Sequence, residues 1–163
     1  MNKTIFLFVT LFGIGKLKKI PGSYASLATT FFLFFLFHIL KISPNFVLIS
    51  IIFIFVISLF AIDKFIKGLD NKDPNEIVID EFIGQSIPIC LYEIAHEGVK
   101  ETEKILIFYF IFFILFRVFD IIKPFPANYY DKNFKNSFGV IMDDVCAGLY
   151  VVAVLVLYMV ISK

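Results

Sequence analysis

Between Phe46 and Ile62 the chain carries no charged side chain, and comparably apolar stretches recur at Tyr24–Leu40, Ile105–Ile122 and Val140–Ile161. At about 1.5 Å rise per residue, helices of this length approach the hydrocarbon thickness of a bilayer once flanking residues are included. A soluble domain of 163 residues does not need a chain that is 60% hydrophobic with a mean hydropathy of +0.89. The expected fold is therefore all-α, a polytopic membrane helical bundle. A fifth segment, Ile77–Ala95, is interrupted by Asp80, Glu81, Gln85 and Pro88, so the bundle has about four to five transmembrane helices. Ile5–Ile14 is too short to span and is expected to form an interfacial or re-entrant helix. Lys16–Lys19 follows it with no small-x-small pattern, so no signal cleavage is expected. Without a linker or repeat, residues 1–163 read as a single membrane-embedded domain.

Charge sets the orientation. If five spans alternate, one side of the membrane collects ten of the 15 Lys and Arg residues, among them Lys16, Lys18, Lys19, Arg117 and Lys123. That side is expected to be cytoplasmic. A net charge of +1, with lysines confined to loops beside apolar segments, gives no footprint for nucleic acid. Cys90 and Cys146 lie in apolar segments without metal or redox spacing and read as packing residues. The 23 Phe residues read as packing and lipid-facing material.

Against this background five acids stand out: Asp80, Glu81, Asp120, Asp143 and Asp144. A carboxylate at the bilayer centre costs roughly 2.5–3.5 kcal/mol on insertion scales, so such residues need a partner or a function. The threading puts all five at helix ends on the cytoplasmic side, in one layer. Carboxylates crowded together repel unless they are protonated or bridged by a cation. Oxygen donors without a nearby His or Cys suit Mg²⁺ or Mn²⁺ rather than zinc. In Arg117-x-x-Asp120-x-x-Lys123-Pro124, the i, i+3 spacing puts Arg117 and Asp120 on one helix face, and Pro124 helps end the helix. A carboxylate-bound metal beside two fixed cations suits phosphoryl transfer. A salt-bridged cluster that merely holds helices together reads the same spacing.

Pro21-Gly22-Ser23-Tyr24-Ala25-Ser26 opens the first long span, with Ser23 as the expected helix cap and free N–H groups available to an anion. Gly13-Ile14-Gly15-Lys16 lacks P-loop spacing. Asp70–Glu76 reads as a solvated loop without the EF-hand pattern, and His38 and His96 lie away from the acidic layer.

In this order the motifs resemble the phosphatidylglycerophosphatase A family. The resemblance runs through Gly13-x-Gly15 and Pro21-Gly22-Ser23-x-x-Ser26, then Lys72-Asp73-Pro74-x-x-Ile77-Val78-Ile79-Asp80-Glu81-x-x-Gly84. It continues through Phe116-Arg117-x-x-Asp120-x-x-Lys123-Pro124-x-Pro126 to Gly139-x-x-x-Asp143-Asp144-x-x-Ala147-Gly148. Ala25 stands where the family pattern has Gly. The resemblance implies a Mg²⁺-dependent lipid phosphatase of the bacterial inner membrane, which converts phosphatidylglycerophosphate to phosphatidylglycerol. Combined with the residue chemistry, it gives Asp80, Glu81, Asp143 and Asp144 as metal ligands. Asp120 ligates the metal or positions the attacking water, with Asp80 and Asp144 also in catalytic roles. Arg117 and Lys123 bind phosphate, and Ser23 and Ser26 offer hydrogen bonds. Direct water attack and a covalent aspartyl-phosphate both stay open.

The competing class is an ion- or proton-coupled transporter, for which intramembrane acids are also diagnostic. Midplane sites and internal repeats are expected there, and the acids here gather at one end of an unrepeated sequence.

Overall fold

The computed structural model describes residues 3–67, 74–96 and 102–161, and these form helices with no strand among them. In chain order they are α1 (Lys3–Val9), a 3₁₀ segment (Leu11–Lys16), α2 (Pro21–Phe34) continued by a π-helical turn (Phe35–Ile39), α3 (Pro44–Ile66), α4 (Ile79–Ala95), α5 (Thr102–Ile122), α6 (Ala127–Asn133) and α7 (Ser137–Ile161). Four helical stretches are long and apolar enough to cross a membrane: Pro21–Ile39, Pro44–Ile66, Lys104–Ile122 and Ser137–Ile161. They coincide with the four long apolar segments of the sequence. The interrupted fifth segment, α4, is shorter at 17 residues and carries the acidic pair in its first turn.

Helix α4 is the axle of the bundle. It packs most extensively against α7 and also contacts α2, α3 and α5. Its inward residues Ile83, Gly84, Gln85, Ser86, Ile89 and Cys90 are buried. The outer helices turn large apolar side chains outward instead, Phe53 and Phe60 on α3 and Phe110 on α5 among them. With lipid as solvent, that arrangement is expected.

The α4–α7 crossing is close because both helices present glycine there. A methyl group on Gly84 would lie 2.6 Å from the Asp144 carbonyl oxygen and 2.8 Å from the Phe116 ring, and one on Gly148 would overlap the Gly84 carbonyl oxygen. Pro88 has no N–H to donate to that carbonyl four residues earlier, so Gly84 O is left available to face α7. Small residues substitute for the hydrophobic drive that membrane helices lack.

Sequence expectations needed adjusting at three places. Helix α2 starts at Pro21, not after Ser23: Ile20 takes a left-handed φ of 44° and Pro21 occupies the first helical position. Residues 123–138, between the last two long apolar segments, contain a short helix, α6, that the apolar pattern does not announce. The N-terminal segment is helical only to Val9 and then turns through three left-handed residues, Leu11, Phe12 and Gly13. The buried Thr10 holds that turn, its Oγ1 donating to Phe6 O (2.8 Å) and accepting from Gly13 N (3.1 Å). The turn is tied to the approach to α4 by Val78 N donating to Val9 O (3.0 Å) and by Gly15 packed on the Glu76 backbone. Gly15 is thus used for close packing. Of the Asp70–Glu76 loop, Asp70, Asn71, Lys72 and Asp73 lie outside the described residues.

Candidate active site

The Gly84–Gly148 crossing has a chemical consequence one turn away. It brings Asp80, one turn before Gly84, toward Asp144 on α7. Carboxylate oxygens of Asp80, Glu81 and Asp144 all lie within 4.8 Å of one another. Asp80 and Asp144 are buried, and Glu81 is half-buried. Backbone amides order the pairs: Glu81 N donates to Asp80 Oδ1 (3.1 Å) and Asp144 N to Asp143 Oδ1 (3.0 Å). Glu81 Oε2 is buried with no hydrogen-bond partner among the described residues, as is Arg117 Nε. Buried polar atoms left in this way call for an unseen partner.

The cations arrive from α5. Arg117 Nη1 lies 2.7 Å from Asp120 Oδ2, one turn along the helix. Helix α5 ends with Lys123 in a left-handed conformation (φ 46°), its N donating to Phe119 O. The Lys123 ammonium donates to Asp143 Oδ2 (2.6 Å) and to Asp131 Oδ1 on α6 (2.8 Å). Burial opposes its charge, but the two carboxylate hydrogen bonds and their attraction outweigh it and hold its pKa above the ordinary lysine range.

These groups line one pocket of about 220 Å³, together with Pro21, Gly22 and Val140. At its α2 wall, a methyl on Gly22 would collide with the Glu81 carboxylate and approach Arg117 Nη1 to 3.2 Å. Only a glycine leaves that carboxylate where it is. The α7 wall is set by two caps: Ser137 N donates to Asp63 Oδ1 of α3 (3.1 Å) and Gly139 N to Asn136 Oδ1 (3.1 Å).

Of the residues singled out in the sequence, Asp80, Glu81, Arg117, Asp120, Lys123, Asp143 and Asp144 line this pocket. Asp143 faces Lys123 and is not part of the three-carboxylate group. The α2 residues at the pocket are Pro21 and Gly22. Ser26 is buried with its hydroxyl donating to Gly22 O (2.9 Å), and Ser23 sits in the first turn of α2. Asp131, Asp63 and Gly22 gained roles that spacing alone did not announce.

A second polar cluster lies along α4 from the acids. Glu93, almost fully buried, accepts from Tyr109 Oη (2.9 Å), and its Oε1 lies 3.3 Å from His38 Nε2 in the π-helical turn. Glu93 went unnoticed in the sequence, although a lone acid near the end of an apolar span was its signal.

A carboxylate triad, two fixed cations and an apolar exterior define a membrane-embedded helical bundle equipped to handle phosphate. The chain belongs to the phosphatidylglycerophosphatase A family, whose family model matches residues 7–159. It is 32% identical to phosphatidylglycerophosphatase A of Haemophilus influenzae, over 92% of this chain and 85% of that protein. It is 26% identical to the protein of that name from Escherichia coli, over 91% and 80%. A Bacteroides thetaiotaomicron protein named as a putative phosphatidylinositol-3-phosphatase is 31% identical over 92% of both chains. No solved structure matches.

Proposed function

We propose that this protein is a Mg²⁺-dependent lipid phosphatase that hydrolyses the phosphate monoester of phosphatidylglycerophosphate, releasing phosphatidylglycerol and phosphate. The observation that carries this reading is the convergence of Asp80, Glu81 and Asp144 with Arg117 and Lys123 on one pocket, in a chain of this family. Ten of 15 positive charges on the pocket's side of the threading support a site facing the cytoplasm, in the bacterial inner membrane.

The donor set fits a hard divalent cation: three carboxylates within reach of one another, all oxygen, one with an orphaned oxygen. Asp80, Glu81 and Asp144 would hold Mg²⁺, which when bound supplies Lewis-acid polarisation of a phosphoryl oxygen and lowers the pKa of bound water. The remaining roles belong to the chain itself. Arg117 offers its guanidinium to phosphate oxygens and holds Asp120 in one orientation. Asp120 would ligate the metal or position the attacking water, in the latter case accepting its proton. Lys123, held charged by Asp131 and Asp143, offsets charge developing on the phosphoryl group. Ser26, whose hydroxyl donates to Gly22 O, supports the Pro21–Gly22 turn against which the phosphate would lie, and Ser23 in the same first turn offers it a hydroxyl.

Phosphate release from phosphatidylglycerophosphate by purified protein in detergent, with Mg²⁺ and with EDTA, tests the proposal beside an Asp80→Asn control. Mg²⁺-dependent release that is lost in the control supports it. Absence of release from folded protein sinks it. Phosphatidate and a phosphoinositide monophosphate belong in the same assay, because the Bacteroides relative's name makes the alcohol part of the lipid the variable to resolve.

A further inference from the structure

The phosphate pocket deals with one end of a lipid substrate, whereas the acyl chains need an apolar path beside it. A groove of about 420 Å³ runs between the N-terminal turn and helices α2, α3 and α4. Its size falls within the range of small-molecule sites, roughly 300–1,000 Å³. Phe8, Phe12, Ala28, Phe32, Ile54 and Phe82 supply most of its walls. Thr29 is its one polar side chain, and that hydroxyl is already committed to Ala25 O at 2.8 Å. Nothing in the lining calls for water.

We propose that this groove holds an acyl chain of the same lipid whose phosphate enters the acidic pocket; the proposal rests on the lipid-phosphatase reading. Three observations favour substrate over bulk lipid. First, the two cavities share walls. Helix α2 contributes Pro21 and Gly22 to the pocket and Ala28, Thr29 and Phe32 to the groove, while α4 contributes Asp80 and Glu81 to one and their neighbours Ile79 and Phe82 to the other. Second, the groove's far wall is a built feature. The Leu11–Gly13 turn adopts left-handed backbone at two non-glycine residues, an arrangement that costs stability and persists only when its surroundings enforce it. Thr10 and the Val78–Val9 hydrogen bond enforce it, locking this wall to the strand of chain that leads into Asp80. Third, the mouth is apolar: Phe12 is 87% exposed and Phe32 49% exposed at its edge, an opening suited to a chain entering from the bilayer. The N-terminal segment thereby acquires a task, as the outer wall of a lipid slot rather than a simple surface anchor.

The test uses full-length protein in phosphatidylcholine nanodiscs, photolabelled with phosphatidylglycerophosphate that carries a diazirine in one acyl chain. Adducts are mapped by peptide mass spectrometry, and phosphate release is measured on the same samples. The expected result is labelling centred on Phe8, Ile54 and Phe82. It should be displaced by unlabelled phosphatidylglycerophosphate but not by phosphatidylcholine. Labelling spread evenly over the outward faces of α3, α5 and α7, or displaced equally by phosphatidylcholine, overturns the proposal. Phosphate release without groove-centred labelling sinks the groove and leaves the phosphatase. Groove-centred labelling without release sinks the phosphatase and leaves a lipid-phosphate binder. Ala28→Phe and Ile54→Trp, which fill the groove outside the phosphate pocket, should each raise KM for the lipid about tenfold with kcat little changed. An unchanged KM in both folded variants counts against the groove.

Discussion

The two ends of α4 handle buried charge in opposite ways. At the far end stands a single acid: Glu93 accepts from the Tyr109 hydroxyl and lies 3.3 Å from His38 Nε2, each group from a different helix. At the acidic end, Asp80, Glu81 and Asp144 crowd one another, and Glu81 Oε2 and Arg117 Nε have no partner among the described residues. A single acid placed between two partners from other helices suits a tie, whereas several carboxylates crowded beside fixed cations suit the binding of something that comes and goes. Buried charge in a membrane bundle is therefore informative chiefly through how many like charges share one site.

The sharpest way to break that contrast is to neutralise the acidic end. Asp144→Asn should leave the protein folded in membranes and lower kcat by about 10³-fold in the phosphate-release assay. Wild-type turnover in this variant would reduce the acidic end to another tie. Next in size is Gly22→Ala, whose methyl displaces Glu81; its turnover should fall about 10- to 100-fold, with more Mg²⁺ needed for half-maximal rate. An unchanged Mg²⁺ requirement would detach Gly22 from the metal group.

Gln85 sharpens the comparison from within. It is fully buried one turn from Glu81, and both of its amide atoms lack partners among the described residues. Gln85→Leu should raise the thermal midpoint while lowering kcat several-fold, because it removes an unsatisfied amide that sits under the site. A rise in both quantities would assign Gln85 to neither end. The smallest effect on turnover belongs to Tyr109→Phe: activity within about twofold of wild type, with stability lower by about 1–3 kcal/mol because Glu93 loses a donor. Activity loss as large as that of Gly22→Ala would mean that the two ends are coupled.

The long apolar runs reported α2, α3, α5 and α7 directly, because a bilayer demands little more of a helix than length and apolarity. The convergence of Asp80, Glu81, Asp120, Asp143 and Asp144 was legible too, since alternating spans leave their helix ends on one side. Features that depend on helix rotation were not legible. Spacing does not say that Lys123 turns to Asp143 and Asp131, that Gly22 lies against Glu81, or that Glu93 meets Tyr109 of α5. Ser23 looked like a helix cap because its side chain suits the role, but Pro21 next to a left-handed Ile20 starts the helix earlier. Helix α6 was hidden because its seven residues, ANYYDKN, have turn-forming composition and take their order from the α5–α7 corner.

The glycine crossing between α4 and α7 also bears on how the protein is made. Helix α4 emerges from the ribosome with Asp80, Glu81, Gln85 and Glu93 along 17 residues, a poor candidate for lone residence in lipid. The surface that fits it most closely, around Gly148, is translated about sixty residues later, in the last helix of the described chain. The site-bearing helix is thus the one whose final seat depends on α7, and a nascent chain stopped before α7 holds neither the crossing nor Asp144. Synthesis of α7 and assembly of the carboxylate triad are therefore linked.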